Sequence, residues 1–225
     1  MLAEASVIVL NRSPSCSLAN KNLVAVENIE EDEELFSIAH SVVLTVQNSS
    51  LQSVKPAMLE HLDAWNSLVL VMIYEDGLET KSKWWPYLNI LPREFDTLIY
   101  WSPEELAELQ GSAVLDKIGK KDADMSFKKS LLPVVTRDAE LFGRHAQAFA
   151  GSNAELALLE LAHRTATIIM AYGFDLESGS TSSSECGEED GADGSSQCAY
   201  ELNKGMVPLA DLFNADGDLN NVGCI

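Results

Sequence analysis

Between Thr165 and Asn203 the chain has no lysine or arginine, yet Asp175, Glu177, Glu185, Glu188, Glu189, Asp190, Asp193 and Glu201 all fall there. Within this stretch, Ser178–Ser196 is almost entirely serine, glycine, threonine and acid. Such a segment offers too little apolar surface to offset the entropy of ordering it. It reads as a disordered surface loop bridging two core elements. Before it lies the apolar run Ile168-Ile-Met-Ala-Tyr172, and after it Met206-Val-Pro-Leu-Ala-Asp211 resumes as a buried, strand-like run.

The chain as a whole is composed like a globular protein, with 46% hydrophobic and 22% charged residues among 225. That length suits one large domain or one domain with an insertion. With 15 basic and 35 acidic residues the net charge is −20, which excludes an autonomous nucleic-acid binder and favours a basic partner. The longest apolar run, Leu68–Tyr74, has seven residues, against about 20 for a membrane span. Met1–Leu10 lacks a basic region and carries Glu4, so it is a poor signal peptide. Cys16, Cys186, Cys198 and Cys224 form no C-x-x-C pair and have no nearby histidine to complete a zinc spacing. They read as free thiols, with a Cys186–Cys198 bridge left open. The expectation is a soluble, monomeric protein of the nucleus, the cytoplasm or both, with no membrane or direct nucleic-acid partner and no bound metal.

Leu23–Val26, Leu35–Ile38 and Val42–Thr45 are short, apolar and separated by polar turns, and they predict strands of a meander or small barrel. From about Pro56 the pattern turns helical, with Leu59, Leu62, Leu68 and Met72 near the helical period. Ser102-Pro-Glu-Glu105 is a helix start, because Ser102 can cap the third helical amide, Pro103 suits the first position and Glu105 can reach back. That helix is expected to carry Leu106, Leu109, Val114 and Ile118, weakened at Gly111. Further helices are expected near Asp138–Phe149 and Asn153–Tyr172.

Few motifs point to chemistry. Asp216-Gly-Asp218 with Asn220 and Asn221 lacks both the central glycine spacing and the closing glutamate of a calcium loop, and it reads as a polar turn. There is no phosphate-cradling glycine loop and no G-x-S-x-G elbow. His40, His61, His145 and His163 are scattered, and none pairs with a nucleophile. Hydrolase, kinase and metalloenzyme readings therefore have no residues to carry them.

Several segments in collinear order nevertheless resemble one family. These are Leu23–Thr45, Lys81-Ser-Lys-Trp-Trp-Pro-Tyr-Leu-Asn-Ile-Leu-Pro92, Phe95-Asp-Thr97 with Trp101, Glu105–Ser112, Ile169–Asp175 and Met206–Asn221. Together they resemble the SET-domain protein-lysine methyltransferases of the Rubisco large-subunit and fungal ribosomal-protein type. The resemblance implies an α+β fold in which a SET β-core is split by a helical insertion. The strands would lie in 19–53, the insertion in 56–151 and the second SET segment in 152–225.

It also implies S-adenosyl-L-methionine as cofactor and a lysine of a basic protein, a ribosomal protein or similar, as substrate. Matched residue by residue, Tyr172 and Asn214 fall on cofactor-contacting positions, with Ala215 where the family usually has histidine. Asn20-Lys21-Asn22 takes the place of a Gly-x-Gly turn, lacking both glycines, although asparagine tolerates the left-handed conformation better than most residues. Trp85, Gly173 and Asp175 fall where the lysine channel is lined. The family's later SET segment, with its terminal tyrosine, and its helical substrate-binding domain have no counterpart before Ile225, so the reading is of a C-terminally incomplete enzyme whose activity in this form is left open. The alternative is a non-catalytic acidic module that binds a basic protein and is indifferent to the cofactor.

Overall fold

The structure, a computed structural model, describes residues 8–11, 22–25, 28–30, 33–176 and 203–213. Ile8–Asn11 (β1) pairs antiparallel with Asn22–Ala25 (β2). There follow Ser50–Val54 (α1), Ala64–Leu78 (α2), Trp85–Leu88 (α3), Pro103–Ala107 (α4), Lys120–Ser130 (α5), Leu132–Arg137 (α6), Ala146–Ala150 (α7) and Ala154–Tyr172 (α8). Gly173–Leu176 (β3) then pairs antiparallel with Asn203–Met206 (β4). The architecture is helix-rich with small two-stranded sheets, and no helix among the described residues is long and apolar enough to cross a membrane.

The core is organised around α2. Asp63 caps it by accepting from the Asn66 amide at 2.8 Å, so Leu59 and Leu62 lie ahead of the helix and not within it. Every residue from Asn66 to Gly77 is buried. A helix apolar all round has no solvent face, and it must be enclosed by other elements. Here α8, α3, β4 and the Ala139–His145 turn enclose it.

That burial extends to two carboxylates at the end of α2. Glu75, 1% exposed, accepts from the hydroxyls of Ser49 (2.7 Å), Ser50 (3.2 Å) and Ser82 (2.6 Å) and from the Ser50 amide (3.2 Å). Asp76 is bonded by Arg144, by His145 at 2.9 Å and by Arg164 at 3.3 Å. Burial alone would raise its pKa. The bonds from His145 and Arg144 and the charges of Arg144 and Arg164 outweigh burial and hold it at about 2.

Several expected elements differ. The helix at Ser102 does begin with a full capping box, Ser102 and Glu105 each satisfying the other's backbone amide. It ends at Ala107, however, and Gly111 turns away with φ +84°. Leu35–Ile38 has no regular structure, and of Val42–Thr45 only Leu44 makes a β-bridge, to Met206. The helix expected over 138–149 breaks at Phe142 and Gly143, where Gly143 has φ +51°. A Cβ on Gly143 would lie 2.2 Å from the Gly77 carbonyl oxygen, and one on Gly77 would lie 2.3 Å from that of Phe142. The two backbones touch, and neither tolerates a side chain. The expected loop 178–196 lies outside the described residues, but β3 and β4, on either side of it, are zipped together.

Two outcomes test this core. Gly77→Ala should destabilise the protein by about 2–3 kcal/mol, the cost of forcing atoms into a packed contact, and a urea melt would read it. Because the folded pKa of Asp76 lies below its unfolded value, its stabilisation is complete above about pH 4 and fades as the pH falls towards 2. The wild type should therefore lose about 1–2 kcal/mol more than Asp76→Asn between those pH values, after allowance for partial solvent access. Parallel pH profiles would contradict it.

Candidate functional site

Of the sequence-derived site residues that the structure describes, Tyr172 and Gly173 lie together at the end of α8, beside the chain that follows β4. Tyr172, half-buried, is the last residue of α8. Gly173 then opens β3, where a Cβ would sit 2.5 Å from the Ile169 carbonyl oxygen, so the sharp exit from helix to strand needs glycine. Across the ladder Gly173 faces Met206. Met206 exchanges two backbone hydrogen bonds with Leu44, both at 2.9 Å, and both side chains are fully buried.

Beyond Met206 the backbone turns sharply. Leu209 has φ +78°, and Ala210–Leu212 forms one turn of 3-10 helix. Phe213 stacks on Phe36 with ring centroids 5.4 Å apart and planes 13° from parallel. Asp211 accepts a hydrogen bond at 2.9 Å from the hydroxyl of Tyr87, which comes from α3. Burial, followed by the negative charge of Asp211, its hydrogen bond and the neighbouring Tyr172, pushes the Tyr87 hydroxyl well above the ordinary tyrosine range. It therefore stays a donor.

The flanking segment is fixed from the same side. The Trp84 indole N–H donates to the Val42 carbonyl at 2.7 Å, and the Lys83 ammonium donates to the Ser41 carbonyl at 3.0 Å while lying over the Trp84 ring. The result is a patch of tyrosines, a carboxylate and a phenylalanine stack on the chain that precedes Asn214 in the sequence. It can supply donors, an anionic acceptor and apolar walls. Among the described residues no group of three or more His, Cys, Asp or Glu side chains is placed to hold a metal.

The remaining sequence-derived residues are placed differently. Trp85 is half-buried and lies under the Arg144 guanidinium, 5.3 Å from its ring centroid, and Arg144 in turn pairs with Asp76. Asp175 is exposed on β3 and pairs with Lys204, its cross-strand partner. Asn22 pairs with Asn11 through the backbone of β1 and β2. Asn20, Lys21, Asn214 and Ala215 lie outside the described residues. Sequence reasoning gave no role to Tyr87, and it read Asp211 only as the end of a buried, strand-like run. Nothing in the local pattern joins them, although a buried tyrosine hydroxyl requires some partner. A cavity of about 290 Å³ opens elsewhere, between the Arg93–Tyr100 segment and α8, and none of the sequence-derived residues lines it.

No protein-family model matches the chain. It is 34% identical over 208 residues to ribosomal lysine N-methyltransferase 4 of Saccharomyces cerevisiae, a match covering 89% of this chain and 40% of the relative. It is 26% identical over 208 residues to the N-lysine methyltransferase setd6 of Xenopus laevis, covering 88% of this chain and 41% of the relative. Over 116 residues it is 33% identical to the chloroplastic ribulose-1,5 bisphosphate carboxylase/oxygenase large subunit N-methyltransferase of Pisum sativum, covering 51% and 23%. Among solved structures, the SET domain of LSMT bound to lysine and AdoHcy matches with a TM-score of 0.63 and 21% identity, over 96% of this chain and 41% of that one. The fold is that of the SET domain, and the chain spans about 40% of the length of the yeast relative it matches.

Since Asp175 and Lys204 are both exposed, their ion pair should add little. Asp175→Ala should change unfolding stability by less than about 1 kcal/mol, measured by denaturant titration. A larger loss would mean that this carboxylate carries more than a surface pair.

Proposed function

We propose that this chain, related in sequence and fold to the SET-domain protein-lysine methyltransferases, supplies the cofactor-binding part of a protein-lysine N-methyltransferase that uses S-adenosyl-L-methionine. The observation that carries this is that, in a SET fold, Tyr87 bonds Asp211 and neighbours Tyr172 at the turn whose Phe213 stacks on Phe36 and which leads in sequence to Asn214. In this reading the SET core is split, with 19–53 and 152–225 flanking a helical insertion at 56–151. The Leu44–Met206 bridge, which joins the two flanks directly, supports it.

The residues present suit the ligand. A half-buried tyrosine, an anionic acceptor and a stacked aromatic pair match a molecule with a flat base, hydroxyls and a cationic centre. When bound, S-adenosylmethionine supplies a methyl group on a sulfonium that is already a good leaving group. The chain then has to align and to exclude water, more than to move protons. The lysine amine must be neutral to attack, and desolvation by apolar and aromatic walls lowers its pKa. Tyrosine hydroxyls and main-chain carbonyls orient the nitrogen.

Asn20, Lys21, Asn22, Asn214 and Ala215 are proposed as further cofactor contacts, and Trp85, Gly173 and Asp175 as positions near the substrate lysine, on the strength of the family resemblance. A basic protein substrate fits a chain of net charge −20, which speeds encounter with cations.

Calorimetric titration of the chain with S-adenosylmethionine tests the reading. We expect saturable binding, weakened by about 1–3 kcal/mol in Asn214→Ala, the usual cost of leaving a hydrogen-bonding group of the ligand without its partner. Ala215→His should leave the affinity unchanged or raise it. A chain that does not bind the cofactor would instead fit the acidic interaction module.

A further inference from the structure

We propose that Tyr87 is a positioning residue, whose hydroxyl holds Asp211 and with it the Leu209–Phe213 turn in the shape that receives the methyl donor. The inference rests on the methyltransferase reading above and extends it to a residue of the helical middle of the chain.

Leu209 has φ +78° and ψ −36°, a region that a side chain with a Cβ resists. Its own packing does not hold it there, because the side chain is 56% exposed. The restraint must therefore come from residues on either side. On one side, Met206 is fixed by Leu44. On the other, Asp211 is bonded by Tyr87 and Phe213 is stacked on Phe36.

Of these restraints, the Tyr87 bond is the one that reaches the turn from α3. Tyr87 is itself rigidly seated. It is 8% exposed and follows Pro86, and its amide donates to the Trp84 carbonyl at 2.9 Å. A hydrogen bond from a buried, protonated phenol to a carboxylate is charge-assisted, and such bonds are among the stronger ones in proteins. A donor on α3 therefore anchors a turn that the sequence separates from it by 124 residues.

The test compares wild type, Tyr87→Phe and Tyr100→Phe. Tyr100 also donates or accepts through its hydroxyl, but with Thr167 on α8 and not with a residue of the turn. Amide hydrogen exchange is followed at Leu212 and Phe213, whose N–H groups bond to the carbonyls of Leu209 and Ala210. Exchange there is referenced to the amides of α2, which separates release of the turn from general destabilisation. Calorimetry gives the affinity for S-adenosylmethionine.

Tyr87→Phe should speed exchange at both amides relative to α2 and weaken the cofactor, each by about tenfold, as expected for loss of one charge-assisted bond. Tyr100→Phe should do neither. Unchanged relative exchange at Leu212 and Phe213 would overturn the proposal, as would faster exchange with wild-type affinity. Should the wild type itself not bind S-adenosylmethionine, the methyltransferase reading fails, while the exchange data still decide whether Tyr87 holds the turn.

Discussion

The packing of this protein depends on a helix that has no outside. Because α2 is buried on all sides, the surrounding elements have no freedom in where they settle, and its own polar groups have no water to turn to. Glu75 and Asp76 sit where that constraint is most severe, since an unpaired carboxylate in such surroundings would cost several kcal/mol. Each is instead surrounded by donors, and the donors come from distant segments: Ser49, Ser50 and Ser82 for one, Arg144, His145 and Arg164 for the other. The end of α2 is thus the junction at which the 49–55 segment, the tryptophan-rich segment, the Phe142 turn and α8 are brought into register.

From that junction the order is passed outward to the candidate site. Ser82, held by Glu75, in turn accepts from the Trp84 amide at 3.2 Å. Trp84 fixes the Val42 carbonyl, and Leu44, two residues on, pairs with Met206. Tyr87, on the helix that follows Trp84, reaches Asp211. The patch around Tyr172, Asp211 and Phe213 is therefore built from two stretches of chain that lie on either side of 177–202, supported by a helical middle. Such support is what a ligand site requires, because groups that must stay aligned are best held by residues whose own positions are already fixed.

Charge plays a different part in the two places. Inside, individual carboxylates are matched to individual donors, and geometry decides their effect. Outside, the net charge of −20 acts as a field, which attracts cations in general and specifies none. The Asp175–Lys204 pair belongs to the outside. It lies on an exposed ladder, where solvent screens it and its contribution is small.

Features governed by neighbouring residues were legible in the sequence. The capping box at Ser102–Glu105 and the extent of α8 follow from local hydrogen bonding and apolar periodicity within a few residues. The collinear segments also carried the family resemblance, because such motifs keep their order whatever the packing around them. What the sequence could not disclose depends on atoms meeting from far apart. The break at Phe142–Gly143 exists because the Gly77 backbone presses against it, and no local pattern reports an approach from another helix. The placement of Trp85 against Arg144, the exposure of Asp175 and the bond from Tyr87 to Asp211 are of the same kind. A residue's type limits which partners it can accept, but only the folded chain decides which partner stands within 3 Å of it.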